Sequence, residues 1–239
     1  MNIIIPMAGR GERFSSAGYT LSKPLIPIQE KPMIQMAVES IGQSGNYIFI
    51  IQNNDMIYNT LKSLYPNSQI IQIDYITDGP ASTCLLAKKY INNNDPLLIF
   101  NCDQVMWWDK EAFSTYIKHC NYDGIIVTYP ENTSKNSYAK LDRNGHVLRI
   151  AEKEVISNIS LNGIHFWKKG CDFVNSAETM ISLDERYNNE FYVGPSYNSL
   201  INQGKKIGIY HIPKEQHHAV GTPEDLLKYT NKLYDYENF

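Results

Sequence analysis

The chain has no long apolar run, no paired cysteines and no excess of basic residues, and each absence removes a class of protein. No stretch approaches the roughly 20 apolar residues of a membrane-spanning helix. The run Ile3–Ile5 is too short for a signal peptide, and Pro6 and Gly9 interrupt it. The expectation is a cytoplasmic protein without membrane insertion. The four cysteines, at 84, 102, 120 and 171, are widely spaced and form no C-x-x-C pair. Neither a zinc site nor a disulfide framework is indicated, and reduced thiols are expected. The formal charge is −3 and the Lys and Arg residues are scattered, which gives no reason to expect nucleic acid as a partner. What remains is a chain of 239 residues, long enough for one large domain with an ample core.

The first residues carry the strongest signal. Ile3–Ile5 runs into Ala8-Gly9-Arg10-Gly11, with Arg13 two residues on and Lys23-Pro24 ten further. A buried strand ending in a glycine-containing turn lets backbone N–H groups approach an anion closely. Arg13 adds a planar, two-pronged donor and Lys23 a point charge. This order describes a cradle for a polyphosphate. It is neither of the two commonest phosphate loops. G-x-G-x-x-G would need glycine where Phe14 stands, and the Gly-Lys-Ser/Thr of a P-loop is absent.

Strand-like runs at Ile3–Ile5, Tyr47–Ile51, Gln69–Ile73, Leu97–Phe100 and Gly124–Tyr129 alternate with helix-like segments at Met33–Gln43, Asp55–Leu64, Ala81–Ile91 and Lys110–His119. Such alternation predicts an α/β fold with ligands at the carboxyl ends of the strands. After about residue 130 the pattern changes. Tyr138–Leu141 and His146–Ile150 flank an Asn144-Gly145 hairpin turn. Ser160–Trp167 reads as a strand, Cys171–Met180 and Pro195–Asn202 as helices, and Lys206–Ile212 as a last strand. Thr222-Pro223-Glu224-Asp225 then opens a helix. The reading is a single Rossmann-like domain with a mixed, mainly parallel central sheet and an inserted β-hairpin subdomain. The chain divides at about residue 130, with the polyphosphate cradle in the first half, about 1–130, and the hairpin and C-terminal helix in the second, about 131–239.

Pro6-Met-Ala-Gly-x-Gly-x-Arg13, with Lys23-Pro24-Leu-Ile and Lys31-Pro32-Met-Ile, resembles the N-terminal signature of the sugar-1-phosphate nucleotidyltransferases, in their short form from bacterial capsule and lipopolysaccharide gene clusters. Asn101-Cys102-Asp103 closes the Leu97–Phe100 strand. Alone, Asp103 would equally cap the next helix; the resemblance implies that it binds Mg²⁺. Asp78-Gly79-Pro80-Ala81-Ser82 is similar to the family's base-holding glycine motif, and Glu152-Lys153 to its Glu-Lys, whose lysine binds the acceptor phosphate. Asn162-Gly163 and Glu190-Phe191-Tyr192 look like the acceptor pocket, with Tyr138 and Trp167 as its walls.

The resemblance implies nucleotidyl transfer. The acceptor's phosphate monoester attacks the α-phosphorus of a nucleoside triphosphate and expels pyrophosphate, with Arg13, Lys23, Asp103 and Lys153 as the acting residues. Ala8, Gly9, Gly11, Gly79, Ala81 and Ser82 would hold the nucleotide. Relatives usually carry a second metal-binding Asp two residues before the late glycine, where this chain has Ala219 before Gly221. His218, Glu190 or Asp225 could substitute, or one carboxylate plus the phosphates could suffice. Asp74 falls near the base motif; a carboxylate only accepts hydrogen bonds, which suits the amine of cytosine and favours cytidine triphosphate. The other readings are a glycosyltransferase of related fold, which would normally show Asp-x-Asp where this chain has Asp103-Gln104-Val105, and a non-catalytic nucleotide sensor. A homo-oligomer is compatible with the sequence.

Overall fold

The computed structural model describes residues 1–237. Strand β1 (Asn2–Met7) carries Ile3, Ile4 and Ile5, all fully buried, as a strand covered on both faces requires. After it come the short helix α1 (Glu12–Ser16), the ribbon β2 (Pro27–Ile28) and β3 (Lys31–Pro32), and helix α2 (Met33–Ile41). The α2 helix ends two residues earlier than the sequence pattern suggests, because Gly42 turns it off in the left-handed region at φ 66°. Next are β4 (Asn46–Gln52), α3 (Asp55–Leu64) and β5 (Gln69–Ile73). The Asn54 side chain caps α3 by accepting the Ile57 N–H at 3.0 Å. The segment read as one helix over 81–91 is two, α4 (Pro80–Leu85) and α5 (Lys88–Ile91), broken at Leu86-Ala87.

Strands β6 (Leu97–Ile99) and β7 (Gln104–Met106) precede α6 (Lys110–His119), which Asp109 caps through the Ala112 N–H at 2.9 Å. The second half contains β8 (Gly124–Pro130), the hairpin β9 (Ser137–Leu141) and β10 (Val147–Glu152), and the long β11 (Ile159–Trp167). Helices α7 (Gly170–Ser182) and α8 (Tyr197–Asn202), strands β12 (Ile207–His211) and β13 (His217–Ala219), and α9 (Pro223–Glu237) complete it.

One mixed sheet runs β10-β9-β11-β6-β1-β4-β5, with β8 beside β11 and β12 beside β8. β1 pairs parallel with β4 and β6, β4 with β5, and β8 with β12. β11 runs antiparallel to β6 and β8, and its register shifts between Leu161 and His165. Helices cover both faces. α2, α3 and α6 bury Ile34, Val38, Ile57, Leu61 and Phe113 on one side, while α4 and α7 bury Ala81, Cys84, Phe173 and Ala177 on the other. A smaller core of Phe14, Ile26, Met33, Val105, Leu226 and Tyr229 ties the N-terminal loop to α9. β7 and β13 pair antiparallel, which periodicity could not reveal in strands of three residues. This pairing brings the 217–221 segment beside Asp103. No helix among the described residues is long and apolar enough to cross a membrane.

Candidate active site

Two cavities adjoin at the carboxyl ends of β1 and β6. The first, of about 420 Å³, is lined by Ala8, Gly9, Gly11, Arg13 and Lys23 from the N-terminal turn and by Gly79 from the loop after β5. The second, of about 390 Å³, is lined by Glu152 and Lys153 after the hairpin and by Asn162 and Gly163 of β11. Arg13, Asn101, Asp103 and Tyr192 line both.

The N-terminal turn has the conformation its glycines permit. Gly11 sits at φ 64°, in the left-handed region, and α1 then carries Arg13. Lys23 stands in a single 3₁₀ turn that begins with Pro24 in its first positions. Its ammonium donates to the Asp103 carboxylate. Burial disfavours that ammonium, but the charge and hydrogen bond of Asp103 together with Cys102 outweigh this, and the Lys23 pKa ends above the ordinary lysine value. The neighbouring Cys102 thiol is pushed up to about 12, first by burial, and so stays protonated. Gly221 lies against Asp103: a Cβ there would come within 2.6 Å of Oδ2.

On the other side of the first cavity, the base-motif turn is packed against the 190–192 segment. Gly79 has φ 117°, and an added Cβ would meet the Phe191 nitrogen at 2.6 Å. Phe191 N–H donates to Asp78 O at 2.7 Å, and Ala81 N–H to Phe191 O at 2.9 Å. Ala81 is therefore a fully buried structural contact and not a cavity wall, and Ser82 also stays off the cavity. Thr77 and Thr83 line it instead, their hydroxyls 2.6 Å apart. Asp74 is exposed and lies outside the cavity lining.

In the second cavity, Lys153 has a left-handed backbone at φ 52°, and its ammonium donates to the Tyr192 hydroxyl at 2.8 Å. Tyr192 donates in turn to Glu190 at 2.5 Å. Burial raises the pKa of Glu152, against the opposing effects of Ser137 and Lys153. Gly163, at φ 90°, marks the irregularity in β11, and a Cβ there would collide with the Asn101 amide at 2.3 Å. Two expected walls are absent from the lining. Tyr138 is fully buried with its hydroxyl bonded to the Thr133 backbone, and Trp167 is stacked on Tyr197 at 4.4 Å inside the core. Gln104, His165 and His217 line this cavity without having been singled out from the sequence. Strand alternation in β11 could have flagged His165; Gln104 and His217 arrive through the β7–β13 pairing.

Of the carboxylates named from the sequence as metal ligands, Asp103 lines both cavities, Asp225 the second and Glu190 the first. Asp103 is an oxygen donor partly open to both cavities, which suits a hard cation. Ala219 also lines the second cavity and offers no ligand, while His218 is packed against Trp107 at 4.3 Å and Tyr229 at 5.3 Å, away from it. Among the described residues no group of three or more His, Cys, Asp or Glu could hold a metal. One carboxylate still fits Mg²⁺, which retains waters and takes phosphate oxygens as ligands.

A mixed α/β sheet with a glycine-and-arginine turn at one cavity and a lysine at its neighbour defines a Rossmann-like α/β protein with two adjoining cavities at its strand ends. The chain belongs to the nucleotidyl transferase family, which it matches over residues 2–236. It is similar to the bifunctional protein GlmU of Methanocaldococcus jannaschii, 28% identical over 240 residues that cover 98% of this chain and 55% of that protein. It is also similar to the mannose-1-phosphate guanyltransferase of Aspergillus oryzae, 28% identical over 166 residues, or 65% of this chain and 45% of that one. The chain thus spans about half the length of the curated relatives it matches. Its fold is that of the nucleoside-diphosphate-sugar pyrophosphorylase of Vibrio cholerae RC9, with a TM-score of 0.82, 23% identity, and 96% and 99% of the two chains covered.

Proposed function

We propose that the chain transfers a nucleotidyl group from a nucleoside triphosphate to the phosphate of a sugar 1-phosphate or similar small monoester, releasing pyrophosphate. One observation carries this reading: the two cavities meet at Arg13 and Asp103, so reactants held in each would join at that seam. An acceptor phosphate oxygen attacks the α-phosphorus in line, and the bond from that phosphorus to the bridging oxygen breaks. The phosphate is already a competent nucleophile, so no covalent enzyme intermediate is needed. The protein's part is positioning and charge neutralisation. The Gly9–Gly11 turn and Arg13 hold the triphosphate, Lys23 stands by the transferring group, and Lys153 grips the acceptor phosphate. Asp103 would hold Mg²⁺, which supplies positive charge to the phosphates when bound.

The finer expectation was cytidine triphosphate and a role in surface polysaccharide precursors. The base argument stood on Asp74, and that residue is outside the cavity lining. Base choice falls instead to Ile76, Thr77 and Gly79, which line it; a hydroxyl both donates and accepts and does not by itself separate cytosine from uracil. A sugar phosphate as acceptor is supported by the likeness to a mannose-1-phosphate guanyltransferase.

The test is a matrix of the five common triphosphates against a panel of sugar and alditol phosphates with Mg²⁺, following pyrophosphate. Acceptor-dependent pyrophosphate release with formation of a nucleotide-sugar supports the reading. Release of a nucleoside diphosphate from a nucleotide-sugar, with none of the former, would replace it by glycosyl transfer.

A further inference from the structure

The 184–192 segment connects the two cavities. Glu190 lines the nucleotide-side cavity, and Tyr192 lines both. Their side chains form a chain of hydrogen bonds that ends on Lys153: ammonium to Tyr192 hydroxyl at 2.8 Å, hydroxyl to Glu190 carboxylate at 2.5 Å. The same ammonium stands 4.6 Å from the centre of the Tyr192 ring. Lys153 is thus already engaged at the atom that would bind an acceptor phosphate.

The segment is also fastened to the nucleotide-side turn. Phe191 exchanges backbone hydrogen bonds with Asp78 and Ala81. Arg186 lies over the Phe191 ring at 4.3 Å and pairs with Asp78 at 3.5 Å. Gly79 has no free space on its Phe191 side. A displacement of the 78–81 turn therefore carries residues 190–192 with it, and an occupant of the first cavity meets Glu190 directly.

Resting on the function proposed above, we infer that Tyr192 is a positioning residue that makes the availability of Lys153 depend on the nucleotide. In the free protein its hydroxyl accepts from the ammonium and donates to Glu190. A nucleotide that displaces Glu190 and the 78–81 turn withdraws Tyr192, and Lys153 is handed to the acceptor phosphate. A free Lys153 would recruit phosphates to the second cavity in the absence of a reaction partner; the hydrogen-bonded chain suppresses that. Coupling of this kind needs only a segment with two arrangements that both ligands bias.

The experiment reads the exposure of Lys153 through its labelling by an amine-acetylating reagent, scored on the tryptic peptide by mass spectrometry. Each of the five triphosphates is added with Mg²⁺, and equilibrium dialysis scores nucleotide binding separately. In the wild-type chain, a triphosphate that binds should raise Lys153 labelling several-fold. Tyr192→Phe, which keeps the ring and removes the hydroxyl, should label as strongly without nucleotide and show no further rise. Arg186→Met should keep the low basal labelling and lose most of the response. A residue with a purely structural role would not produce this pattern. Nucleotide binding with unchanged or lowered Lys153 labelling overturns the coupling and leaves the proposed function standing, as does equal labelling of wild type and Tyr192→Phe. If no triphosphate binds, the proposed function and this inference fail together.

Discussion

Lys23 and Asp103, 80 residues apart in the chain, form an ion pair at the edge where the two cavities meet. The pair explains how a carboxylate and an ammonium with partial exposure coexist there before any ligand arrives. Each neutralises the other, and the raised pKa of Lys23 keeps it charged across neutral pH. Incoming phosphates and a cation would exchange this pairing for ammonium–phosphate and carboxylate–metal contacts. Mutual neutralisation therefore costs the reaction little.

Replacing Arg13 or Lys23 by Ala should abolish most turnover while the fold persists. Loss of one phosphate clamp costs about 3 kcal/mol of transition-state stabilisation, or about a hundredfold in rate. Steady-state pyrophosphate release and circular dichroism of the same samples check this. Near-normal rates in folded variants would remove the cradle.

The placement of Arg13, Lys23, Asp103 and Lys153 at the cavities was legible because each sits beside a local punctuation mark: a glycine turn, an X-Pro unit, a strand end or a hairpin. The long strands and helices were legible from their periodicity, and α3 and α6 begin where their side-chain caps stand. What failed was the assignment of side chains to cavity or core. Tyr138 and Trp167 are aromatic residues on strands beside the site, but alternation turns both inward. Asp74 lies beyond the last residue of β5, where sequence cannot say which way the chain leaves the sheet. Gln104 and His217 come together through strands of three residues drawn from distant parts of the chain, and no local signal encodes that contact.

Asp103→Asn should be nearly inactive at any Mg²⁺ concentration, and Gly221→Ala should show a milder form of the same defect. The added methyl at 2.6 Å from Oδ2 must push the carboxylate aside. We expect Gly221→Ala to raise the Mg²⁺ concentration needed for half-maximal rate. An unchanged metal dependence would mean that the Asp103 position is not critical.

His218→Ala should retain most activity per folded molecule and lose stability. Its ring is buried between Trp107 and Tyr229, so truncation leaves a cavity costing about 1–3 kcal/mol. Urea unfolding and initial rates on one preparation separate the two effects. Loss of activity with full stability would give His218 a place in the chemistry.

Acid should destabilise the protein well above the carboxylate range. Burial lowers the pKa of His165 to about 3, and burial is also the first cause that takes His217 and His218 to about 4. Each is neutral in the folded chain but takes up a proton below about 6.5 once unfolded. The unfolded state then binds more protons, so stability is full above about pH 6.5 and falls as pH drops toward the folded values. His165 alone contributes up to about 1.4 kcal/mol per pH unit. Urea midpoints between pH 7.5 and 5 should show this decline, and His165→Phe should flatten it by about one proton. A decline beginning only below pH 4.5 would assign it to carboxylates instead.

Base preference should respond to Thr77 and ignore Asp74. Thr77 lines the first cavity with its hydroxyl donating to Gly79 O at 3.2 Å and lying against Thr83. Asp74 is exposed outside the lining. Asp74→Ala should leave the ranking of triphosphates by kcat/KM unchanged. Thr77→Val keeps the shape but removes the hydroxyl, so the base edge loses a hydrogen-bonding group and the Gly79 turn loses a tether. We expect about a tenfold fall in kcat/KM for the preferred triphosphate, the scale of one hydrogen bond of about 1.4 kcal/mol, and a smaller fall for the others. Competition assays with all five triphosphates and one working acceptor measure both. A ranking that changes in Asp74→Ala and stays fixed in Thr77→Val would restore the carboxylate as the base reader and require the loop after β5 to close over the nucleotide.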